Sequence, residues 1–294
     1  SARYFQDAFY AAETIKYLRE ERDPDRPFLL WSSYFMPHTP LVPLASFYNL
    51  YNPEQLTLPA RSDRALETGF AGHLIRAQQR GWYRQSDGDL QKSLAGYYGN
   101  TSQMDDRLGT VVDALYDLDL KKNTIIVYTS DHGEMAGAHR MWTKHNMYEQ
   151  SVRVPLIVGL PDGTHANTAQ DHLIEQIDLF PPLAELCHLP APENIHGHSF
   201  APLLRNQPYT PREFVYAEYD FCHQVFTTDN RYVGKPPILM VRTDRWKLNY
   251  LSWGRAELFD LENDPHEFHN AIDEAENVGI VKELTDMANQ RYRL

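Results

Sequence analysis

An apolar, largely β-branched run, Thr124-Ile125-Ile126-Val127-Tyr128-Thr129, stops abruptly at Ser130-Asp131-His132-Gly133-Glu134. Such a run is too short for a stable helix and reads as a strand covered on both faces. Strands of that kind build α/β sheets, where chemistry collects in the crevice beyond their carboxyl ends. Asp131 and His132 fall at such an end, and Gly133 permits the backbone torsions of a turn. A carboxylate beside an imidazole suits a divalent cation: oxygen donors favour calcium or magnesium, and nitrogen pulls towards manganese or zinc. The same dipeptide would also serve as the N-cap of a following helix, and these two residues alone leave both readings open.

Three further segments bear on that choice. Arg140-Met141-Trp142-Thr143-Lys144-His145-Asn146-Met147-Tyr148-Glu149 gathers a lysine, a histidine and an asparagine between aromatics, and Ser151-Val152-Arg153-Val154-Pro155-Leu156-Ile157-Val158 supplies another apolar strand. Upstream, Pro27-Phe28-Leu29-Leu30-Trp31-Ser32-Ser33-Tyr34-Phe35 reads as a buried strand running into Met36-Pro37-His38-Thr39-Pro40. Prolines on either side of His38 restrict that loop, so the imidazole is held in a stiff segment past a strand end. Taken singly, Lys144 would be a solvated charge and His38 an exposed loop residue.

In this order and spacing the segments resemble the sulfatase family of the alkaline phosphatase superfamily. The matching features are the strand ending in Asp131-His132-Gly133, then Lys144, Tyr148-Glu149 and Arg153-Val154-Pro155-Leu156-Ile157, and the Pro37-His38-Thr39-Pro40 loop. Met240 to Leu248 and Glu257 to Glu267 are similar to the strands and turn of the family's small C-terminal subdomain. The resemblance implies an α/β alkaline-phosphatase-like sandwich with a mostly parallel central sheet flanked by helices, plus a small antiparallel α+β subdomain. Residues 1–205 would belong to the first and 206–294 to the second. It also implies hydrolysis of sulfate monoesters of a sugar, glycan or aryl alcohol. Asp131 and His132 would bind the metal, calcium before manganese, magnesium or zinc. His38 and Lys144 would contact the sulfate and act in catalysis, with Arg140 and His145 adding to the local positive field.

Parts of the family pattern have no counterpart. Sulfatases attack with a formylglycine made in a Cys/Ser-x-Pro-x-Arg motif, and neither Cys187 nor Cys222 is followed by proline and arginine at the required positions. The Asp-Asp pair available, Asp105-Asp106, falls inside a predicted helix and not at a strand end. The chain is therefore expected to be a C-terminal portion lacking the nucleophile half, inactive alone, with a companion N-terminal half as a possible partner. Phosphonate or phosphate monoester hydrolysis within the same superfamily is one alternative reading. A non-catalytic module binding sulfated glycans or a partner chain is the other.

The rest of the sequence bounds these readings. The formal charge of −12 argues against nonspecific nucleic-acid binding, but a local field in a cleft can oppose the net charge. No apolar run reaches the length of a membrane span, and no signal peptide opens the chain at Ser1, which leaves export undecided where a natural N-terminus is missing. The two cysteines are expected to be small buried hydrophobes. Helices are predicted over Tyr4 to Arg22, Asp87 to Leu118, Asp178 to Leu189 and Ile280 to Leu294, with a loop from Thr39 to about Asp63. Gly96 and Gly99 in the second helix are expected to allow close approach to the sheet. His196 and His198, two apart in a loop, and Cys222 and His223, in the irregular Asp220 to Pro237 stretch, read as surface loop residues.

Overall fold

In chain order a computed structural model gives helices α1 (Ala2–Lys16), α2 (Ala45–Tyr48), α3 (Ala71–Gln79) and α4 (Asp87–Asp117), then strand β1 (Ile126–Thr129), helix α5 (Glu149–Val152) and strand β2 (Leu156–Gly159). Helices α6 (Phe180–Leu186) and α7 (Ala201–Leu204) lead to strands β3 (Val215–Tyr219), β4 (Ile238–Arg242), β5 (Trp246–Tyr250) and β6 (Glu257–Asp260), and helix α8 (Val278–Arg291) closes the chain. The structure describes residues 2–63, 67, 70–161, 163, 166–190, 192–220 and 235–291. The class is mixed α/β, as the sequence led us to expect. Cys222 and His223 lie outside the described residues.

Helix α4 is the scaffold for the histidine loop. Ser86 starts it by accepting the Asp89 N–H (3.2 Å), and Asp87 and Asp89 complement the positive end of the helix dipole. Leu90, Leu94, Met104 and Leu115 of its apolar stripe are buried. Gly96 and Gly99 do permit a close approach, but of the loop after His38 and not of a sheet. A Cβ on Gly96 would sit 2.5 Å from the Leu41 carbonyl, and one on Gly99 would sit 2.6 Å from Pro43. Asn100 donates to the Pro40 carbonyl (3.1 Å) and Gln103 accepts the Leu44 N–H (2.8 Å). The loop is thereby fastened along one face of the helix. From the other side, buried Asp7 of α1 accepts the Phe35 (2.8 Å) and Met36 (3.0 Å) N–H groups.

The segment Phe28 to Phe35, expected to be a buried strand, is neither helix nor strand and forms no ladder with any described strand. It is also not buried, with Leu29 90% and Trp31 82% exposed. Apolar composition alone does not make a strand, because the ladder needs a neighbour to pair with. Strands β1 and β2 pair antiparallel, from Ile126 opposite Gly159 to Thr129 opposite Leu156. Residues 130–155 carry the chain back along the same edge instead of crossing over a face, so the described pair is antiparallel and the parallel sheet is not formed by described strands. The pair is only partly buried, with Ile157 62% exposed, and so is not covered on both faces.

Strands β3 to β6 form an antiparallel sheet in sequence order, filled from both sides. Leu239 and Val241 of β4 face α8 with Leu248, Leu258, Leu284 and Ala288. The alternate residues Ile238 and Met240 face Phe70 and Met147, beside the Lys144 loop. Period-two alternation thus gives one strand two apolar faces, one holding the last helix and the other supporting the site. Helix α6 ends at Leu186, short of the expected Leu189. Cys187 follows at its C-cap and is exposed, because the chain turns outward there.

Candidate functional site

Gly133 allows the turn that begins the site. A Cβ at this position would lie 2.1 Å from the Gln150 carbonyl oxygen, and the Gly133 N–H donates to the Ser151 carbonyl at 2.8 Å. The two backbones touch, so no side chain fits. No helix follows Asp131 and His132 directly; the next helical turn is a short 3-10 segment at Ala138–Arg140, which removes the capping reading. Asp131 instead accepts the His132 N–H (3.0 Å) through Oδ1. His132 Nδ1 donates to the Gly133 carbonyl (2.8 Å), so Nε2 carries the lone pair, and it lies 3.7 Å from Asp131 Oδ2. An oxygen and a neutral imidazole nitrogen at this separation fit two positions around one divalent cation. Among the described residues no group of three or more His, Cys, Asp or Glu converges to hold a metal. Two donors are fewer than the four to eight that such ions take.

Lys144 enters on a backbone that few residues adopt. Thr143 (φ 69°) and His145 (φ 81°) on either side of it are left-handed, as are Ala136, His139 and Arg140. Non-glycine residues avoid this region unless their surroundings enforce it. Glu134 provides that enforcement: its Oε1 accepts the N–H groups of Thr143 and Ala136, tying the start of the loop to its end. Lys144 Nζ then meets His38 Nε2 at 2.8 Å. The His38 ring lies 6.3 Å from that of His132 between centroids, so residues far apart in sequence share one place. His38 Nδ1 donates to the Thr39 carbonyl (3.0 Å), which leaves Nε2 to accept the Lys144 proton. Burial lowers the Lys144 pKa, partly opposed by Asp131 and Glu134 and reinforced by Arg76. Lys144 Nζ therefore donates a hydrogen bond to the ring nitrogen from an ammonium that burial weakens.

The surrounding charges differ from the sequence expectation. Arg140 is bonded to Asp63 and lies over the Tyr83 ring, so its charge is already matched. Its place is taken by Arg76 of α3, which is buried and donates to Thr143 Oγ1 at 3.0 Å. Burial brings its pKa down to about 10. Sequence reasoning missed it, although an arginine in Gly72-His73-Leu74-Ile75-Arg76-Ala77, among residues of an apolar face, was a usable signal. His145 is held neutral: burial first, then Arg76 and Lys144, push its pKa down to about 3, and it accepts the Tyr219 hydroxyl proton at 2.9 Å. It contributes a hydrogen-bond acceptor and no positive charge. His198 gives only its backbone N–H to Asp178, and His196 its carbonyl to Arg212.

Behind the loop, Tyr148 and Glu149 explain their own positions. Tyr148 is buried, stacked on His139 (4.0 Å between centroids), and its hydroxyl reaches Glu257. Glu149 takes Lys247 Nζ at 3.0 Å and Arg242 at 3.2 Å, and its own N–H is accepted by Glu267 at 2.7 Å. The C-terminal sheet therefore holds the far end of the Lys144 loop through buried charges.

The comparisons with known proteins agree with this geometry. The Sulfatase family model matches residues 3–189, and a model described as N-sulphoglucosamine sulphohydrolase, C-terminal, matches residues 137–293. An arylsulfatase of Clostridium perfringens is 30% identical over 269 residues, which covers 90% of this chain and 53% of that protein. This chain thus spans about half the length of that relative. Among solved structures, the phosphonate monoester hydrolase of Agrobacterium radiobacter superposes with a TM-score of 0.86 at 24% identity, over 97% of this chain and 60% of that one. A protein solved with its substrate D-glucosamine-2-N,6-O-disulfate superposes with a TM-score of 0.78 at 22% identity, over 98% and 69% respectively. These two show the fold alone. With the family model covering most of the chain, and Asp131, His132, Lys144 and His38 brought together at one turn, the chain belongs to the sulfatase family.

Proposed function

We propose that this chain carries the sulfate-gripping half of a sulfuric ester hydrolase, with His38 and Lys144 holding the ester and Asp131 and His132 as two of the ligands of a divalent cation. The observation behind it is the Lys144–His38 contact of 2.8 Å beside the free Nε2 of His132. Hydrolysis with S–O cleavage builds negative charge on the sulfuryl oxygens and on the departing alkoxide, so the site needs donors already aimed there. Lys144 supplies a cation whose burial strengthens its field, and Arg76 behind it keeps the local potential positive. The proton that Lys144 Nζ donates towards His38 Nε2 is the one in position for the leaving oxygen, and the Thr39 carbonyl holds the His38 ring by its other nitrogen.

When bound, the cation, calcium before manganese, magnesium or zinc, would polarise a sulfuryl oxygen. A formylglycine would supply the nucleophile. Neither cysteine of this chain stands in a Cys-x-Pro-x-Arg setting, so the nucleophile is assigned to the part of the longer relatives that this chain does not match. The 294-residue chain is accordingly proposed to bind sulfate esters without turning them over.

Titration calorimetry of the chain with 4-nitrophenyl sulfate, with and without calcium, tests this. Lys144→Ala and His38→Ala are each expected to weaken binding on the order of 10- to 150-fold, the worth of a charge-assisted hydrogen bond. Unchanged affinity in both variants would remove these residues from the site. Metal-dependent release of 4-nitrophenol by the chain, verified by intact mass, would overturn the assignment of the nucleophile elsewhere. The same assay with a phenyl phosphonate ester separates sulfate from phosphonate preference.

A further inference from the structure

Beside the site lies a cleft of about 640 Å³ whose wall includes Thr39 and Thr143, the neighbours of His38 and Lys144. Its other side is made by Arg80, Trp82 and Arg84, which follow α3. Gly81, at φ 72°, turns the chain between them, and a 3-10 turn over Trp82–Arg84 brings Arg84 round to the same cleft as Arg80. Only glycine takes that conformation without strain.

These two arginines differ from the majority of the arginines whose side chains are described. Arg61, Arg140, Arg205, Arg212, Arg245 and Arg255 each meet a carboxylate within 4 Å. Arg80 and Arg84 meet none among the described residues, although the chain carries a net charge of −12. Gln85, the polar neighbour between the cleft and the core, is already occupied by Trp142 Nε1 (2.8 Å) and Ser93 Oγ (3.1 Å). The open hydrogen-bonding capacity of this wall is thus guanidinium, which suits planar or tetrahedral anions. Arg80 is also near enough to act on Arg76 and His145, so the positive field is continuous with that of the sulfate site. Arg76 lies over the Trp82 ring at 5.5 Å, which fixes the indole as a flat apolar surface in the cleft wall.

We propose that Arg80 and Arg84 form a subsite for a second anionic group, carboxylate or sulfate, on the alcohol side of the ester, so that the preferred substrate is a saccharide bearing at least two negative charges. This rests on the reading that His38 and Lys144 hold the first sulfate, since the ester's alcohol then leaves past Thr39 and Thr143 into the cleft. Trp82 offers its ring to the sugar, and the two arginines select for charge.

The test is calorimetric, on the full 294-residue chain at low ionic strength. Three probes are used: 4-nitrophenyl sulfate, a hexosamine disulfate, and a uronate-containing disaccharide monosulfate. Either two-anion probe is expected to bind about 10- to 100-fold more tightly than 4-nitrophenyl sulfate, with the advantage shrinking as salt is added. In R80Q/R84Q the advantage should vanish while binding of 4-nitrophenyl sulfate is unchanged, and R80K/R84K should retain part of it. Whichever two-anion probe gains more identifies sulfate or carboxylate as the second group. Equal affinity of all three probes for the native chain, absent binding of the two-anion probes, or a uniform loss across the three in R80Q/R84Q overturns the subsite. Lys144→Ala separates the two readings. If it weakens all three probes while the arginine variants change nothing, the sulfate site stands and the subsite falls. If it weakens none while R80Q/R84Q selectively loses the two-anion probes, the cleft survives and the hydrolase reading falls.

Discussion

Replacing Lys247 with methionine tests how the C-terminal sheet supports the site. Lys247 is fully buried, with Nζ 2.7 Å from fully buried Glu267 and 3.0 Å from Glu149. Methionine keeps much of the volume and removes the charge, so Glu267 is left as a buried carboxylate without its cation. Removing one partner of a buried pair costs about 3–5 kcal/mol, because the remaining charge is neither solvated nor matched. Glu149 keeps Arg242 at 3.2 Å, so the larger part of the loss falls on Glu267. A chain of 294 residues unfolds with an entropy of about 0.6 kcal/mol per kelvin, so Tm should fall by about 5–8 °C at neutral pH.

The pH dependence identifies the cause. Burial raises the Glu267 pKa, and Lys247 is the main influence pulling it back down. In Lys247→Met that pull is gone and the pKa rises further. A carboxyl whose folded pKa lies above its unfolded value favours the folded state at low pH, and loses that advantage as pH rises through the folded pKa. The Tm gap between native chain and variant should therefore be widest near pH 7.5 and narrow towards pH 5. Adding Glu267→Gln to the variant should recover most of the loss, since a neutral pair replaces the orphaned charge. Differential scanning calorimetry at the two pH values measures all of this. A gap that is the same at both pH values, or that Glu267→Gln does not reduce, would refute the reasoning.

Gly133→Ala places a methyl group 2.1 Å from the Gln150 carbonyl, so the turn must open; we expect a loss of about 1–3 kcal/mol in urea unfolding, and weakened calcium binding in calorimetry as Asp131 and His132 separate. Buried His73 and His139, whose pKa values burial brings down to about 3 and about 4, stay neutral in the folded chain while the unfolded chain protonates them near 6.5. Stability is thus complete above that value and is lost as pH falls, by roughly 2–5 kcal/mol between pH 6.5 and 4.5, offset in part by the raised carboxyls of Glu257 and Glu267. Urea unfolding at the two pH values, repeated with His73→Leu, should show a shallower acid loss in the variant, and equal losses would count against the assignment. On the proposed function, in a longer form that also carries the nucleophile segment, Asp131→Ala is expected to abolish sulfate ester hydrolysis while leaving Tm within about 1 °C, because its side chain is 85% exposed.

The sequence carried what is local. The stripe from Leu90 to Leu118 appears as α4, and the apolar runs around Ile126, Leu156, Met240 and Trp246 appear as strands, because periodicity is a property of neighbours along the chain. The Asp131-His132-Gly133 turn was legible for the same reason. What failed was long-range. Phe28 to Phe35 looks like a strand by composition, but pairing depends on a neighbour that composition does not reveal, and Leu29 and Trp31 stand in solvent. Arg140 looked like a site cation until Asp63 claimed it, and Arg76 looked like one charge among many until α3 carried it under Thr143. Gly96 and Gly99 were read correctly as contact points, but only the structure shows that their partner is the histidine loop. His145, a positive charge by type, is held neutral first by burial and then by Arg76 of α3 and its own neighbour Lys144.

The same distinction governs how an acidic chain would hold the proposed anion. A net charge of −12 sets the far field, but the field at Lys144 depends on which charges remain unspent within a few ångströms. Glu134, the carboxylate that follows Asp131 and His132, is committed to the N–H groups of Thr143 and Ala136. Glu149 and Glu267 are committed to Lys247 and Arg242. Each of these carboxylates does structural work on the loop that presents Lys144, and Glu134 in addition acts on Lys144 and Arg76. Arg80 and Arg84, which line the cleft beside Thr143, meet no carboxylate among the described residues. Part of the acid is thus consumed in shaping the loop, and base is left at the cleft. Exchanging Glu134 for glutamine should therefore disturb sulfate binding through the geometry of Thr143 and Lys144, and not through the loss of a repulsive charge. The variant is expected to bind 4-nitrophenyl sulfate more weakly in calorimetry, whereas an effect through charge alone would make it bind more tightly.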